Sequence, residues 1–210
     1  MHFEPIDLSR WERAEYFTHY LHEIPCTYSM TVRLDITKLK QSGKQLYPAM
    51  LYALAKAVNA HPEFRMALDE DGKPGVYDRM HPCYTVFHKD TQTFSNLWTA
   101  FDGDYAVFCQ NYQRDMETYG SIHRMDAKPG LPENSFTVSM LPWASFEGFN
   151  LNLQKGYAYL KPIFTIGKYT GQDGRYTLPL AVQVHHAVCD GFHACRLVDE
   201  VQATLDSGLC

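Results

Sequence analysis

Hydrophobic and polar positions follow two rhythms along this chain. Between Cys26 and Ile36 the run CTYSMTVRLDI changes character at every second residue and is rich in Thr, Val and Tyr, which predicts a half-exposed strand. AMLYALAKAVNAH, opened by Pro48, has the Ala- and Leu-rich spacing of a helix that His61-Pro62 should end, because a residue before proline is pushed out of helical conformations. Ser9-Arg10-Trp11-Glu12 fits a capping box, so a helix is expected from Ser9 to about His22. CYTVFH (83–88) and QTFSNL (92–97) read as short strands, and helical spacing returns from Asp102 to Tyr119, before Gly120. From Asn134 onward strands dominate: SFTVSML, ASFEGFNLNL, PIFTIGKYT and RYTLPLAVQV, with Gln172-Asp173-Gly174 as a hairpin turn. A last helix is expected from about Gly191 to Leu205. With no repeat, low-complexity tract or linker, the pattern predicts one α+β domain over residues 1–210, a large mixed β-sheet flanked by helices.

Composition narrows the function classes. A chain of 210 residues with 45% hydrophobic and 14% aromatic content can bury a substantial core. Its net charge of −5 and lack of Lys/Arg clusters give no footprint for nucleic acid or an anionic membrane, which leaves a small molecule or another protein as partner. The first twenty residues carry charges throughout and no run approaches membrane-spanning length, so a soluble, cytoplasmic protein is expected. Six scattered cysteines without a CxxC read as reduced thiols.

The chemistry concentrates in HHAVCDGFH, residues 185–193. Period-two geometry puts Leu178, Leu180, Val182 and Val184 on one side of the preceding strand; His186 continues that side and His185 points the other way. An imidazole at the end of a buried strand is partly desolvated, which favours the neutral, basic form that a general base needs. Asp190-Gly191 offers a turn and helix start, and a buried Asp190 carboxylate needs a cationic partner. In a continuous helix His185, Cys189 and His193 would share a face and suit zinc, but the strand before them and the Asp-Gly inside break that helix, so no metal is expected. A nucleophilic Cys189 lacks a neighbour to lower its pKa.

HHAVCDGFH preceded by PLAVQV resembles the HHxxxDG signature of chloramphenicol acetyltransferases. NSFTVSMLPWASFEGFNLNL resembles that family's Ser-x-x-Pro-Trp-x-x-Phe segment, and PIFTIGKYT, HPEFRMA, HPCYTVFH and QTFSNLW resemble others in the same order. HHxxxDG also occurs in the acyltransferase cores of 2-oxo acid dehydrogenase complexes and in condensation domains, but those chains bring carrier domains or are much longer.

The resemblance implies the two-layer architecture of CoA-dependent acyltransferases and a homotrimer with active sites between subunits. It also implies acetyl-CoA as cosubstrate, no permanently bound cofactor, and acetylation of the chloramphenicol 3-hydroxyl. His186 matches the general base and Ser139 the donor to the oxyanion, a role worth about 3 kcal/mol in a dry site. Asp190 matches a carboxylate paired with Arg13, and the His186 ring would be oriented by its own backbone carbonyl. Tyr20, Cys26, Thr85, Phe94, Phe149, Leu151 and Ile163 match the antibiotic pocket; Tyr47, Trp143, Thr165, Lys168 and Tyr169 match the coenzyme side. Gln45 stands where the family often has a lysine, so the resemblance implies a coenzyme contact that is either weaker or taken by Lys44, and His19 and Ile24 occupy variable wall positions. The competing readings are an acyltransferase of the same fold with a lipoyl or other small acceptor, and a ligand-binding protein without turnover.

Overall fold

The computed structural model describes residues 1–153 and 158–209. Its elements are β1 (Phe3–Pro5), α1 (Ala14–Thr18, continued by a π-helical turn His19–Glu23), β2 (Thr27–Asp35), α2 (Thr37–Gln41) and α3 (Leu46–Ala60). Then come β3 (Met66–Leu68), β4 (Pro74–Tyr77), β5 (His81–His88), β6 (Thr93–Trp98) and α4 (Tyr105–Tyr119). The chain ends with β7 (Ser135–Leu141), β8 (Ile163–Gly167), β9 (Thr170–Gln172), β10 (Arg175–His185) and α5 (Gly191–Asp206).

The large sheet runs β2-β10-β8-β7-β5-β6, with β9 paired to β10. It is mixed, as expected: β7 is parallel to both β5 and β8, while β10 is antiparallel to β2 and β8. The turn between β9 and β10 has left-handed backbone at both Asp173 (φ 50°) and Gly174 (φ 79°), the type I′ geometry that Asp-Gly favours. One sheet face packs on the helices. Leu178, Leu180, Val182 and Val184 of β10 join the core with Phe164 and Ile166 of β8, Phe136 and Val138 of β7, and Tyr84 of β5. Over that face lies α3, whose residues Pro48 to Ala55 are all buried because it sits between the sheet and α4 and α5.

The opposite parity makes a second face, away from the helices. One transverse row is fixed by register: Ala181 and Ser139 are both Cα partners of Thr165, and the parallel pairing of Tyr84 with Val138 brings Thr85 next to Ser139. The neighbouring row holds Ser29, Gln183, Ile163 and Thr137.

Three expectations fail. Residues 144–153 form no strand, because β7 and β8 already have neighbours on both edges. They lie instead across the outer face: Ala144 O accepts from Lys168 N (2.8 Å), Leu151 N donates to Gln183 Oε1 (2.8 Å), and Phe146 packs where a Cβ on Gly167 would stand 2.7 Å from its ring. Ser9 caps nothing. Its hydroxyl and amide both donate to Asp7 Oδ1 (2.7 and 3.0 Å) in a local turn, and α1 begins at Ala14 without a side-chain cap. The sheet β1-β4-β3 was not expected, since its strands have three, four and three residues and carry Pro5, Pro74 and Gly75.

Candidate active site

The β2-β10 ladder extends one residue past its last pair, with His186 N donating to Cys26 O at 2.9 Å. There the strand stops and the His186 ring packs on the helix side. It stacks on Tyr20 with centroids 3.9 Å apart and planes 3° from parallel, and meets Tyr28 edge-on at 5.4 Å. Tyr20 comes from the π-helical turn, whose extra residue per turn shifts its ring relative to a regular helix.

Arg13 supplies the brace predicted for Asp190. Its Nη1 and Nη2 donate to the two carboxylate oxygens at 2.6 Å each, Nη2 also to His186 O at 2.9 Å, and Nε to Ala187 O at 3.0 Å. This fork holds the Asp190 carboxyl below the ordinary carboxylate range and the Arg13 guanidinium above its usual value. One guanidinium thus fixes the His186 carbonyl, the next carbonyl and the head of α5. The pair is less buried than the sequence argument assumed, the Asp190 side chain being 39% exposed and that of Arg13 16%.

The expected bond from the His186 ring to its own carbonyl is not formed. Nδ1 lies 3.2 Å from Asp190 Oδ1 without hydrogen-bond alignment, and the stack on Tyr20 sets the plane of the ring. A proton placed on Nδ1 would face that carboxylate and leave the ring's lone pair to Nε2.

The other groups of HHAVCDGFH have structural work. His185 is buried, and its Nδ1 accepts from Ala187 N at 3.1 Å. Asp190 N donates to His193 Nδ1 at 3.0 Å, and burial lowers the His193 pKa. Burial pushes the Cys189 thiol up to about 12, which removes it as a nucleophile. Among the described residues no group of three His, Cys, Asp or Glu side chains can hold a metal ion. Tyr28 was missed by sequence reading: it follows the core parity of β2 and its hydroxyl donates to Cys189 O at 3.2 Å. An open cavity of about 680 Å³ adjoins this end, lined by Tyr16, His19, Tyr20 and Glu23 among others.

Ser139 stands elsewhere. It lies on the outer face, level with Ala181 through Thr165. Two strand spacings and the five residues from Ala181 to His186 separate the two groups by about 19 Å in strand geometry. Of the other matched residues, Thr85, Thr165 and Ile163 share the sheet face of Ser139. Thr165 is buried beside it, and Ile163 is buried in the next row. Tyr47 OH donates to Thr85 O at 3.1 Å, and desolvation raises its pKa, keeping it neutral. Trp143 is exposed and meets Phe87 edge-on at 4.6 Å; Phe94, opposite Phe87, is also exposed. Phe149 packs on Phe146 (5.5 Å), Leu151 is half-exposed over Gln183, and Lys168 is exposed. Tyr169 holds Lys40 Nζ 4.5 Å above its ring, a contact that sequence reading also missed. Tyr20 and Cys26, matched to the same pocket, lie at the His186 end of the chain.

Comparison with known proteins bears on this divided arrangement. A family model described as chloramphenicol acetyltransferase matches residues 1–202. A chloramphenicol acetyltransferase of Campylobacter coli is 60% identical over 206 residues, covering 98% of this chain and 100% of that protein. One of Clostridium perfringens is 58% identical, covering 99% and 100%. A solved chloramphenicol acetyltransferase structure aligns over 97% of this chain and all of its own, with a TM-score of 0.86 at 24% identity. A dihydrolipoamide acetyltransferase of Azotobacter vinelandii aligns over 91% of this chain and 86% of its own, with a TM-score of 0.62 at 19% identity. These two structures share the fold.

Proposed function

The chain belongs to the chloramphenicol acetyltransferase family, and on that premise we propose that it transfers the acetyl group of acetyl-CoA to the 3-hydroxyl of chloramphenicol, inactivating the antibiotic. The observation that carries this reading is the setting of His186: stacked on Tyr20, tied through its carbonyl to Arg13, with Nδ1 toward Asp190 and Nε2 left as the basic atom. Nε2 takes the proton of the 3-hydroxyl as that oxygen attacks the thioester carbonyl. Ser139 donates its hydroxyl to the developing oxyanion. Collapse of the tetrahedral intermediate expels the coenzyme A thiolate, which takes the proton back from the imidazolium, and no acyl-enzyme is formed.

The distance between His186 and Ser139 supports a site shared between copies of the chain, each bringing its His186 end to the Ser139 row of a neighbour. In that reading the protein is a homotrimer, since a heterologous contact that closes gives a ring. The antibiotic pocket then joins Tyr20 and Cys26 of one copy to Thr85, Phe94, Phe149, Leu151 and Ile163 of the next. Tyr47, Trp143, Thr165, Lys168 and Tyr169 serve acetyl-CoA, which is a substrate rather than a resident cofactor. One acyltransferase domain over 1–210 accounts for the whole reaction. Five described cysteines are free, which suits a reducing cytoplasm.

Thiol release tests the assignment. Purified protein with acetyl-CoA and chloramphenicol should liberate coenzyme A, and His186→Ala should slow it ~10²- to 10⁴-fold. No release by the parent protein, or an unchanged rate in the variant, overturns the reading. Faster turnover with a dihydrolipoyl acceptor than with chloramphenicol would transfer the assignment to that substrate.

A further inference from the structure

Gln183 lies in the middle of β10, on the face away from the helices, and is 6% exposed. Its Oε1 accepts from Ser29 Oγ at 3.2 Å and from Leu151 N at 2.8 Å. A backbone N–H only donates, so the Leu151 contact fixes which end of the amide is oxygen. The Nε2 group is then a buried donor with no acceptor among the described residues. Buried amides are rarely left in this state, so an acceptor from outside is called for.

The position of Gln183 selects that acceptor. Ala181, level with Ser139, is two residues away, about 7 Å along the strand. A copy of the chain that brings its His186 end to Ser139 must cover the neighbourhood of Gln183 as well. The overlying segment also exposes Leu151 and Leu153, apolar side chains that an approaching protein surface would bury. Resting on the shared-site reading above, we propose that Gln183 anchors the subunit interface, its Nε2 donating to a backbone carbonyl of a second copy of this chain while its Oε1 holds Ser29 and Leu151.

Sedimentation across a dilution series, with thiol release on the same samples, tests this for the full chain and for Gln183→Glu and Gln183→Met. Both variants should keep the parent circular dichroism, dissociate at a concentration at least ~10-fold higher, lose activity on dilution and recover it on concentration, since 1.4 kcal/mol of interface free energy is a factor of ten. Should the variants fail to fold, hydrogen exchange on the parent protein takes their place: amides of 27–31 and 149–153 should lose protection as dilution dissociates it. A trimer whose dissociation is indifferent to both substitutions, or whose exchange in those segments is independent of concentration, overturns the anchor alone. Unchanged assembly with a raised KM for chloramphenicol also overturns it, by making Gln183 a ligand contact. A parent protein that is monomeric and active at every dilution overturns the shared site and the anchor together.

Discussion

The two ends of the proposed catalytic machinery are built to different standards. His186 is gripped from several sides: a parallel aromatic stack, an edge-on tyrosine, and an arginine that takes its carbonyl, the next one and both oxygens of Asp190. Ser139 is positioned by the parallel ladder of β5, β7 and β8, within a row of small side chains and without a clamp comparable to Arg13. A base must hold one ring nitrogen at a defined angle to a proton that moves, and small rotations spoil it. A hydroxyl that stabilises an oxyanion needs only a fixed Cα and a free rotor. In the proposed site, rigid bracing stands where orientation would decide the rate.

The sharpest way to break this comparison is to separate its halves. His186→Ala and Ser139→Ala should each be nearly inactive, the second by ~10²- to 10³-fold in kcat with a smaller change in KM. Co-expressed, they should regain about a quarter of parental activity, because random mixing around a closed ring gives that share of contacts with an intact histidine facing an intact serine. Inactivity of the mixed protein, with trimers present, would mean that both groups act within one chain. Next in size is Arg13→Ala. It strands two carbonyls and a carboxylate, but Asp190 keeps partial access to water, so a loss of about 2 kcal/mol by denaturant titration is expected. Arg13→Lys should recover little, having no fork. Equal stability of parent and Arg13→Ala would mean that the brace is dispensable.

The acid limb of stability gives a smaller effect. Because Arg13 lowers the folded pKa of Asp190, the stabilisation is fully present above the ordinary carboxylate range and lost as pH falls through the lowered value. Asp190→Asn should flatten that part of the pH profile; an unchanged acid limb would assign it to other carboxylates. Smallest is a difference in thiol reactivity: iodoacetamide should label exposed Cys195 before Cys189, whose buried thiol titrates near 12. Mass spectrometry showing Cys189 labelled first would contradict its burial.

Much of this was legible in the chain because period and chemistry agreed. RYTLPLAVQV reads as a buried strand, and Asp-Gly as its turn, from residue identities alone. Arg13 and Asp190 were paired by the resemblance, and the need of a carboxylate for a cation pointed the same way. Failures came where local pattern met a tertiary limit. ASFEGFNLNL alternates like a strand but adjoins strands with no vacant edge. Ser9 has the right partner spacing, but the nearer Asp7 takes its hydroxyl. Tyr20, Cys26 and Thr85 were matched to one pocket, and the register of β10 against β8 and β7 sets them at separate ends of a single chain, which a motif match cannot show.

Arg13 and Asp190 are 177 positions apart. Closing so long a loop costs chain entropy before any contact repays it, and such non-local contacts slow folding. During synthesis the first helix leaves the ribosome long before the segment that it must clamp. A nascent or C-terminally truncated chain therefore carries Arg13 without the carboxylate and the two carbonyls that it holds.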